Sequence, residues 1–139
     1  MHWQELLSRA RLGSPEPPRA SSARTDFQRD FDRVVFSSAF RRMQDKTQVF
    51  PLSKVDYVRT RLTHSLEASS IGRSIGTLTG EQVIRRHALR EFEAADFGSI
   101  VAAACLAHDI GNPPFGHSGE DAIRHWAHEA DYGSRRVAM

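Results

Sequence analysis

An almost entirely apolar segment that runs into a histidine and an aspartate is the feature that most constrains the fold of this chain. Residues 97–107 are small or apolar at nearly every position, and His108 and Asp109 follow directly. A helix that is apolar on all sides must be surrounded by other elements, so the segment predicts a central helix over residues 97–109. The Asn-Pro-Pro at residues 112–114 is expected to stop it, because the residue before a proline avoids the α-helical region.

Three further segments have helical periodicity. Thr25-Asp26 is a cap signal for a helix that is expected to run to about Gln44, and a second helix is predicted over residues 60–79. A looser, charged stretch over residues 81–97 follows. The last helix is predicted to start near Ser118 and to bury one face, formed by Ala122, Ile123, Trp126, Ala127 and Ala130.

The helix predicted over residues 60–79 is expected to bury an apolar stripe. Ile71, Ile75 and Leu78 follow His64 at 7, 11 and 14 residues. All three spacings are helical repeats, so His64 is expected to share the buried face. Another helix could approach closely at the small residues of this segment, which are Ser69, Ser70, Gly72 and Gly76.

The remaining segments predict the domain organisation. Residues 47–58 are rich in β-branched and aromatic residues and are broken by Pro51, which favours a short loop or hairpin. The Pro/Ser-rich residues 13–24 predict a mobile linker. We therefore predict an all-α protein with an N-terminal helix and flexible linker over residues 1–24 and one helical domain over residues 25–139.

Composition excludes several classes of protein. The chain has 139 residues, of which 40% are hydrophobic and 26% charged, as in one soluble globular domain. Its net charge of +2 does not indicate a nucleic-acid partner, although 17 Arg against two Lys favours phosphate handling or an arginine-rich genome. No apolar run approaches the roughly 18 residues of a membrane span. The single Cys105 and the absence of a signal pattern predict a cytoplasmic protein without a membrane partner.

Three remote histidine and carboxylate positions carry the chemistry. His108-Asp109 at the end of a buried helix requires a counter-charge or a metal ion, because an unpaired buried charge is costly. His64 alone is more often a core residue, but together the three side chains offer the nitrogen and oxygen ligands of a divalent cation. His117 and Glu120 are three residues apart and share a helix face, which suits general acid–base chemistry.

These residues lie in four segments that resemble the deoxyguanosine triphosphate triphosphohydrolase family of the HD superfamily of metal-dependent phosphohydrolases. The segments are FSSAFRRM (36–43), KTQVF (46–50), RTRLTHSLE (59–67) and HDIGNPPFGHSGE (108–120). The resemblance covers roughly residues 25–127. It implies that the all-α fold is an HD-domain helical bundle.

The resemblance also implies a role for each matching residue. His64, His108 and Asp109 correspond to three of four metal ligands, and His117 and Glu120 to a catalytic histidine and its acidic partner. The implied cofactor is a divalent metal ion, Mg²⁺ or Mn²⁺, with Fe or Zn as alternatives.

Two further residues match positions of the family's substrate site. Arg61 corresponds to an arginine that contacts the phosphates, and Gln48 to a glutamine near the sugar. An ordinary solvated role is an equal alternative for Gln48. The implied reaction converts a deoxynucleoside triphosphate, dGTP first, and water to a deoxynucleoside and inorganic triphosphate.

The sequence departs from the family at the fourth metal ligand, an aspartate on a helix far downstream. Asp121 and Asp131 lie too close to the motif to replace it. We therefore predict that the chain is the N-terminal part of a longer phosphohydrolase, that it binds metal weakly, and that it hydrolyses dGTP very slowly or not at all. The full-length protein is expected to be a homo-oligomer, with single-stranded DNA as a possible partner.

Two alternatives stay open from the sequence. The chain could belong to an HD phosphohydrolase that acts on another nucleotide. It could instead be a non-catalytic module that binds a nucleotide or single-stranded nucleic acid.

Overall fold

The computed structural model of the chain describes residues 3–11, 13, 23–46, 60–113 and 115–129. Every regular element in these ranges is a helix, which confirms the predicted all-α class. None of these helices is both long and apolar enough to cross a membrane. The elements are α1 (Trp3–Leu6), α2 (Asp26–Phe36), α3 (Ser38–Arg41), a 3-10 helix (Arg42–Asp45), α4 (Arg61–His87), α5 (Ala94–Ala107) and α6 (His117–Glu129). The hairpin predicted over residues 47–58 and most of the linker predicted over residues 13–24 lie outside the described residues.

Helix α2 begins where the sequence predicts but ends earlier. The Thr25 hydroxyl accepts a hydrogen bond from the Gln28 backbone N–H at 3.3 Å, and the Gln28 side chain accepts one from the Thr25 N–H at 3.0 Å. Ser37 then leaves the helical region and accepts a hydrogen bond from the Phe40 N–H at 3.2 Å. The prediction of one helix to Gln44 is therefore wrong, because the Ser37 side chain offers the backbone an alternative to helical bonding.

Helices α4 and α5 form an antiparallel pair at the centre of the fold. The buried face of α4 consists of small residues, which are Ser65, Ser69, Gly72, Gly76 and Gly80. A Cβ atom added to Gly76 would lie 2.9 Å from the Phe97 carbonyl oxygen, so the two backbones are in near contact. The buried Ser69 hydroxyl donates a hydrogen bond to the Ala102 carbonyl at 3.0 Å. The close approach predicted at Ser69, Gly72 and Gly76 is confirmed, whereas Ser70 is exposed.

The apolar stripe predicted to be buried on α4 is exposed. Ile71, Ile75 and Leu78 keep 63%, 57% and 64% of their surface accessible. Branched side chains on the facing side of α4 would hold α5 farther away, so the close contact selects the small face instead. The prediction that His64 lies on a buried apolar stripe is therefore wrong, and its side chain is only half-buried.

Helix α5 is central, as its apolar composition predicts. Phe97 near its start belongs to a cluster with Leu7 and Leu89, and Leu106 near its end belongs to another with Phe40 and Met43. Through Leu7, the segment after α1 packs on this helix pair. Leu106 has no accessible surface at all. The helix therefore joins the two halves of the core.

The connection between α4 and α5 is short and starts with a left-handed residue. Ala88 has φ 51° and ψ 42°, and its N–H donates to the Ile84 carbonyl. Helix α4 continues to His87, so the looser stretch predicted from residue 81 begins seven residues later than expected. Helix α5 starts at Ala94 after a capping box at Glu93. This tight reversal brings the start of α4 and the end of α5 to the same end of the pair.

Helix α6 buries none of its residues in the described part of the chain. Ile123 and Trp126 remain 55% and 61% accessible, and Ala122 and Ala127 are exposed as well. The prediction of a buried face on this helix is therefore wrong for these four residues. Amphipathic periodicity marks a face that can be buried, but these four residues remain accessible in the structure. Ala130 lies outside the described residues.

Candidate metal centre

The first turn of α4 holds His64 in a fixed position at one end of the helix pair. The Thr60 hydroxyl accepts from the Thr63 N–H at 3.2 Å, and the Thr63 side chain accepts from the Thr60 N–H at 3.0 Å. The His64 N–H donates to the Thr60 carbonyl at 3.0 Å, which places His64 in this capped turn. A helix start that is tied in this way gives a rigid support for a ligand.

His64 lies beside the His-Asp pair that follows α5. One ligand atom from each of His64, His108 and Asp109 lies within 4.8 Å of the other two. The two imidazole rings meet edge to face, with their centroids 5.2 Å apart. His108 Nε2 is 3.7 Å from Asp109 Oδ2. The prediction that these three side chains lie close together is thus confirmed.

The main chain of α5 orients the His108 ring. His108 Nδ1 lies 2.7 Å from the Cys105 carbonyl oxygen. Because a carbonyl can only accept, Nδ1 is the donor, and Nε2 is the ring nitrogen left to bind a cation. Nε2 is also the atom next to Asp109, so the ring directs this nitrogen towards the other two residues.

Asp109 is the buried member of the group, with 7% of its surface accessible. Its Oδ1 accepts a hydrogen bond from Asn112 Nδ2 at 2.5 Å and lies 3.5 Å from Arg61 Nη1. Its Oδ2 is fully buried and has no hydrogen-bond partner among the described residues. A buried carboxylate oxygen without a partner is costly, and a cation at Oδ2 would remove that cost.

The three residues have the donor atoms that a divalent cation requires. The separation of these atoms is slightly larger than the separation around one ion. Two ligands that each lie about 2.1 Å from one ion are at most about 4.2 Å apart. The outer limit of 4.8 Å exceeds this separation, so the three side chains would have to move closer together by at least roughly half an ångström to share one ion. Two imidazoles and one carboxylate suit Mn, Fe or Zn better than Mg, which prefers oxygen ligands and its own waters.

The predicted acid–base pair is not part of this group. His117 is exposed and Glu120 is half-buried in the first turn of α6, and neither belongs to the set of described residues that could share an ion. Asp121 is exposed and pairs with Arg124 at 2.7 Å. Gln48 and Asp131 lie outside the described residues.

Three partners of the group do not follow from the sequence pattern that identifies the ligands. They are the Arg61 guanidinium and the Asn112 amide on Asp109, and the Cys105 carbonyl on His108. Asn112 had a readable signal, because an amide three residues after an aspartate can close a local turn on it. The Cys105 contact had none, since it depends on the backbone alone.

Comparison with known proteins shows that the three candidate ligands lie in an HD domain. The family model for the HD domain matches residues 61–136, a range that contains His64, His108 and Asp109. A protein from Synechocystis sp. named deoxyguanosinetriphosphate triphosphohydrolase-like is 64% identical over 124 residues, which cover 89% of this chain and 28% of that protein. A protein of the same name from Pseudomonas aeruginosa is 56% identical over 131 residues, covering 94% of this chain and 29% of the relative.

A further relative, from Klebsiella pneumoniae, carries the name deoxyguanosinetriphosphate triphosphohydrolase. It is 48% identical over 118 residues, which cover 79% of this chain and 23% of that protein. The chain thus spans less than a third of the length of these three curated relatives.

Proposed function

The chain belongs to the HD-domain family, and we propose that it supplies metal ligands to a deoxynucleoside triphosphate triphosphohydrolase. The substrate is a dNTP, with dGTP as the first candidate, and the products are a deoxynucleoside and inorganic triphosphate. The observation that carries this proposal is the convergence of His64, His108 and Asp109 around a buried carboxylate oxygen that has no hydrogen-bond partner among the described residues. The names of the relatives support the substrate class.

In this proposal the three clustered residues would hold a divalent cation. Such an ion supplies Lewis acidity and offsets negative charge on a phosphoryl group. Arg61 is partly buried beside Asp109, and its guanidinium has five donors, so the contact to Asp109 leaves others for phosphate oxygens. We assign Arg61 to binding of the triphosphate.

The proton transfers are assigned to α6. His117 would exchange a proton with the reacting oxygen, and Glu120, on the same helix face, would orient its imidazole. The exposure of His117 leaves the ring accessible to a substrate. Gln48 is assigned to the sugar on the strength of the resemblance alone.

Nucleotide binding tests the substrate class in the chain itself. Calorimetry with Mn²⁺ present should show dGTP binding that depends on the metal and weakens at least tenfold in His64→Ala and Arg61→Ala. Binding of dGMP should be much weaker, because two of the three phosphates that the cation and Arg61 would bind are missing. Equal affinity for dGMP and dGTP would contradict a triphosphate site.

Product analysis separates the proposal from its two alternatives. Any turnover should release triphosphate, detected by anion exchange, and should disappear in His64→Ala. Release of orthophosphate or pyrophosphate would indicate an HD phosphohydrolase of another class. Oligonucleotide binding that falls steeply with salt, in the absence of metal-dependent dGTP binding, would indicate a nucleic-acid-binding module.

A further inference from the structure

We propose that Asn112 is a positioning residue of the metal centre, and this inference rests on the proposed function of that centre. Asn112 is the only asparagine in the chain. Its side chain holds one oxygen of Asp109 so that the other oxygen is left for the cation. The proposal concerns the geometry of a ligand and not a contact with substrate.

The direction of the hydrogen bond is fixed by chemistry. An ionised carboxylate can only accept, so the Asn112 amide nitrogen is the donor in the 2.5 Å contact with Asp109 Oδ1. The second oxygen, Oδ2, is buried and lacks a hydrogen-bond partner in the described part of the chain. This oxygen is also the one that lies 3.7 Å from His108 Nε2. The amide therefore binds one side of the carboxylate, and the other side lies next to a second candidate ligand.

The residues that flank Asn112 prepare its position. Gly111 has φ +85°, in the left-handed region that favours glycine, and Pro113 restricts the backbone of Asn112 to extended conformations. The Ile110 N–H donates to the Ala107 carbonyl at 3.0 Å, and its side chain packs against the Leu106 cluster. The turn after α5 is thus anchored on the core before Asn112 reaches back to Asp109.

Arg61 cannot substitute for this role. Its Nη1 is 3.5 Å from Asp109 Oδ1, a longer contact through a flexible side chain, and it brings a positive charge. A neutral amide orients the carboxylate and leaves its negative charge available to the cation. In the proposed function Arg61 also binds phosphate, so a second, uncharged donor keeps Asp109 in place when Arg61 engages the substrate.

Titration of Mn²⁺ followed by electron paramagnetic resonance tests the proposal without measuring activity. Asn112→Ala should weaken Mn²⁺ affinity by about 10- to 100-fold, and Asn112→Ser, which keeps a shorter donor, should give an intermediate value. The Co²⁺ absorption spectrum of Asn112→Ala should shift, because Asp109 is free to rotate. Urea unfolding followed by circular dichroism should remain close to that of the parent chain.

Arg124→Ala is the matched control. Arg124 also donates to an aspartate three residues away, Asp121, but this pair lies outside the ligand group. Its removal should leave Mn²⁺ affinity unchanged. Gly111→Ala should weaken binding as well, and its effect should not add to that of Asn112→Ala, since both act through one hydrogen bond.

The outcomes distinguish two failures. If the parent chain binds Mn²⁺, His64→Ala weakens that binding and Asn112→Ala does not, the positioning role is wrong and the metal centre stands. If His64→Ala has no effect on Mn²⁺ binding, the proposed function fails and the role of Asn112 falls with it.

Discussion

His64 and His108 are 44 positions apart in the sequence, yet their imidazole rings lie edge to face with centroids 5.2 Å apart. Two features of the helix pair produce this contact. Small residues let α4 and α5 approach closely, and the tight reversal at Ala88 returns the chain alongside itself. The geometry of the candidate metal centre therefore depends on residues that are distant from it.

Substitution of a glycine in the helix contact should destabilise the fold. Alanine improves helix propensity by about 1 kcal/mol, but overpacking costs about 1–3 kcal/mol. The added Cβ of Gly76→Ala would meet the Phe97 carbonyl at 2.9 Å, a backbone atom that cannot rotate away. We expect a net loss of up to about 2 kcal/mol in the free energy of unfolding, measured by urea denaturation. Ser70→Ala, at an exposed position of α4, is the control and should change stability by less than about 0.5 kcal/mol.

The left-handed cap of α4 should be improved by glycine. Ala88 has φ 51°, a conformation that is unfavourable for a residue with a Cβ atom. Ala88→Gly should raise the free energy of unfolding by about 0.5–1 kcal/mol, because the relief of strain exceeds the added freedom of the unfolded chain. Ala104→Gly, at an exposed position within α5, should lower it by about 1 kcal/mol. Destabilisation by both substitutions would contradict the left-handed cap.

The helix faces show which parts of the fold the sequence could predict. The apolar segment before His108 and the cap at Thr25 predicted α5 and the start of α2, because these signals are local. The buried face of α4 could not be identified by hydrophobicity. Glycine and serine contribute little to an apolar stripe, although their small size decides how closely a neighbouring helix can pack.

The exposed apolar stripe of α4 allows a test of which face of this helix is buried. Ile75→Gln should change the free energy of unfolding by less than about 0.5 kcal/mol, since Ile75 is exposed. Leu106→Ala should cost about 2–5 kcal/mol, because this leucine of α5 is completely buried in the cluster with Phe40 and Met43. A similar cost for both variants in urea denaturation would mean that the apolar stripe is packed in solution.

The Mn²⁺ affinity of the chain should not depend on helix α6. His117 lies outside the ligand group, so His117→Ala should leave the Mn²⁺ affinity of the chain unchanged within about twofold. The measurement is calorimetric titration, with His108→Ala as the variant that should lose affinity. Loss of affinity in His117→Ala would show that the first turn of α6 reaches the cation.

Weak metal binding by the chain is a separate expectation. Three ligands from the described residues leave an ion more open and less charge-compensated than a complete set. We expect Mn²⁺ affinity in the micromolar range or weaker. Submicromolar affinity in calorimetry would indicate a further ligand from the chain.

The sequence could predict which residues are candidate ligands, but not how their side chains are oriented. The chemistry of His64, His108 and Asp109 is visible in their side chains. The burial expected of the His-Asp pair holds for Asp109 alone, because His108 is exposed. Their orientation depends on the Cys105 carbonyl and on the turn around Asn112, which become apparent only when the backbone is traced. The roles of His117, Glu120 and Gln48 stay predictions.

The central claim is that His64, His108 and Asp109 bind one divalent cation together. Its most direct test is Mn²⁺ titration of the 139-residue chain and of His64→Ala, His108→Ala and Asp109→Asn, with His125→Ala on the exposed face of α6 as the control. We predict one site whose affinity falls at least about tenfold in each of the three variants and is unchanged in the control. Equal Mn²⁺ affinity in the parent chain and in the three variants would contradict the claim.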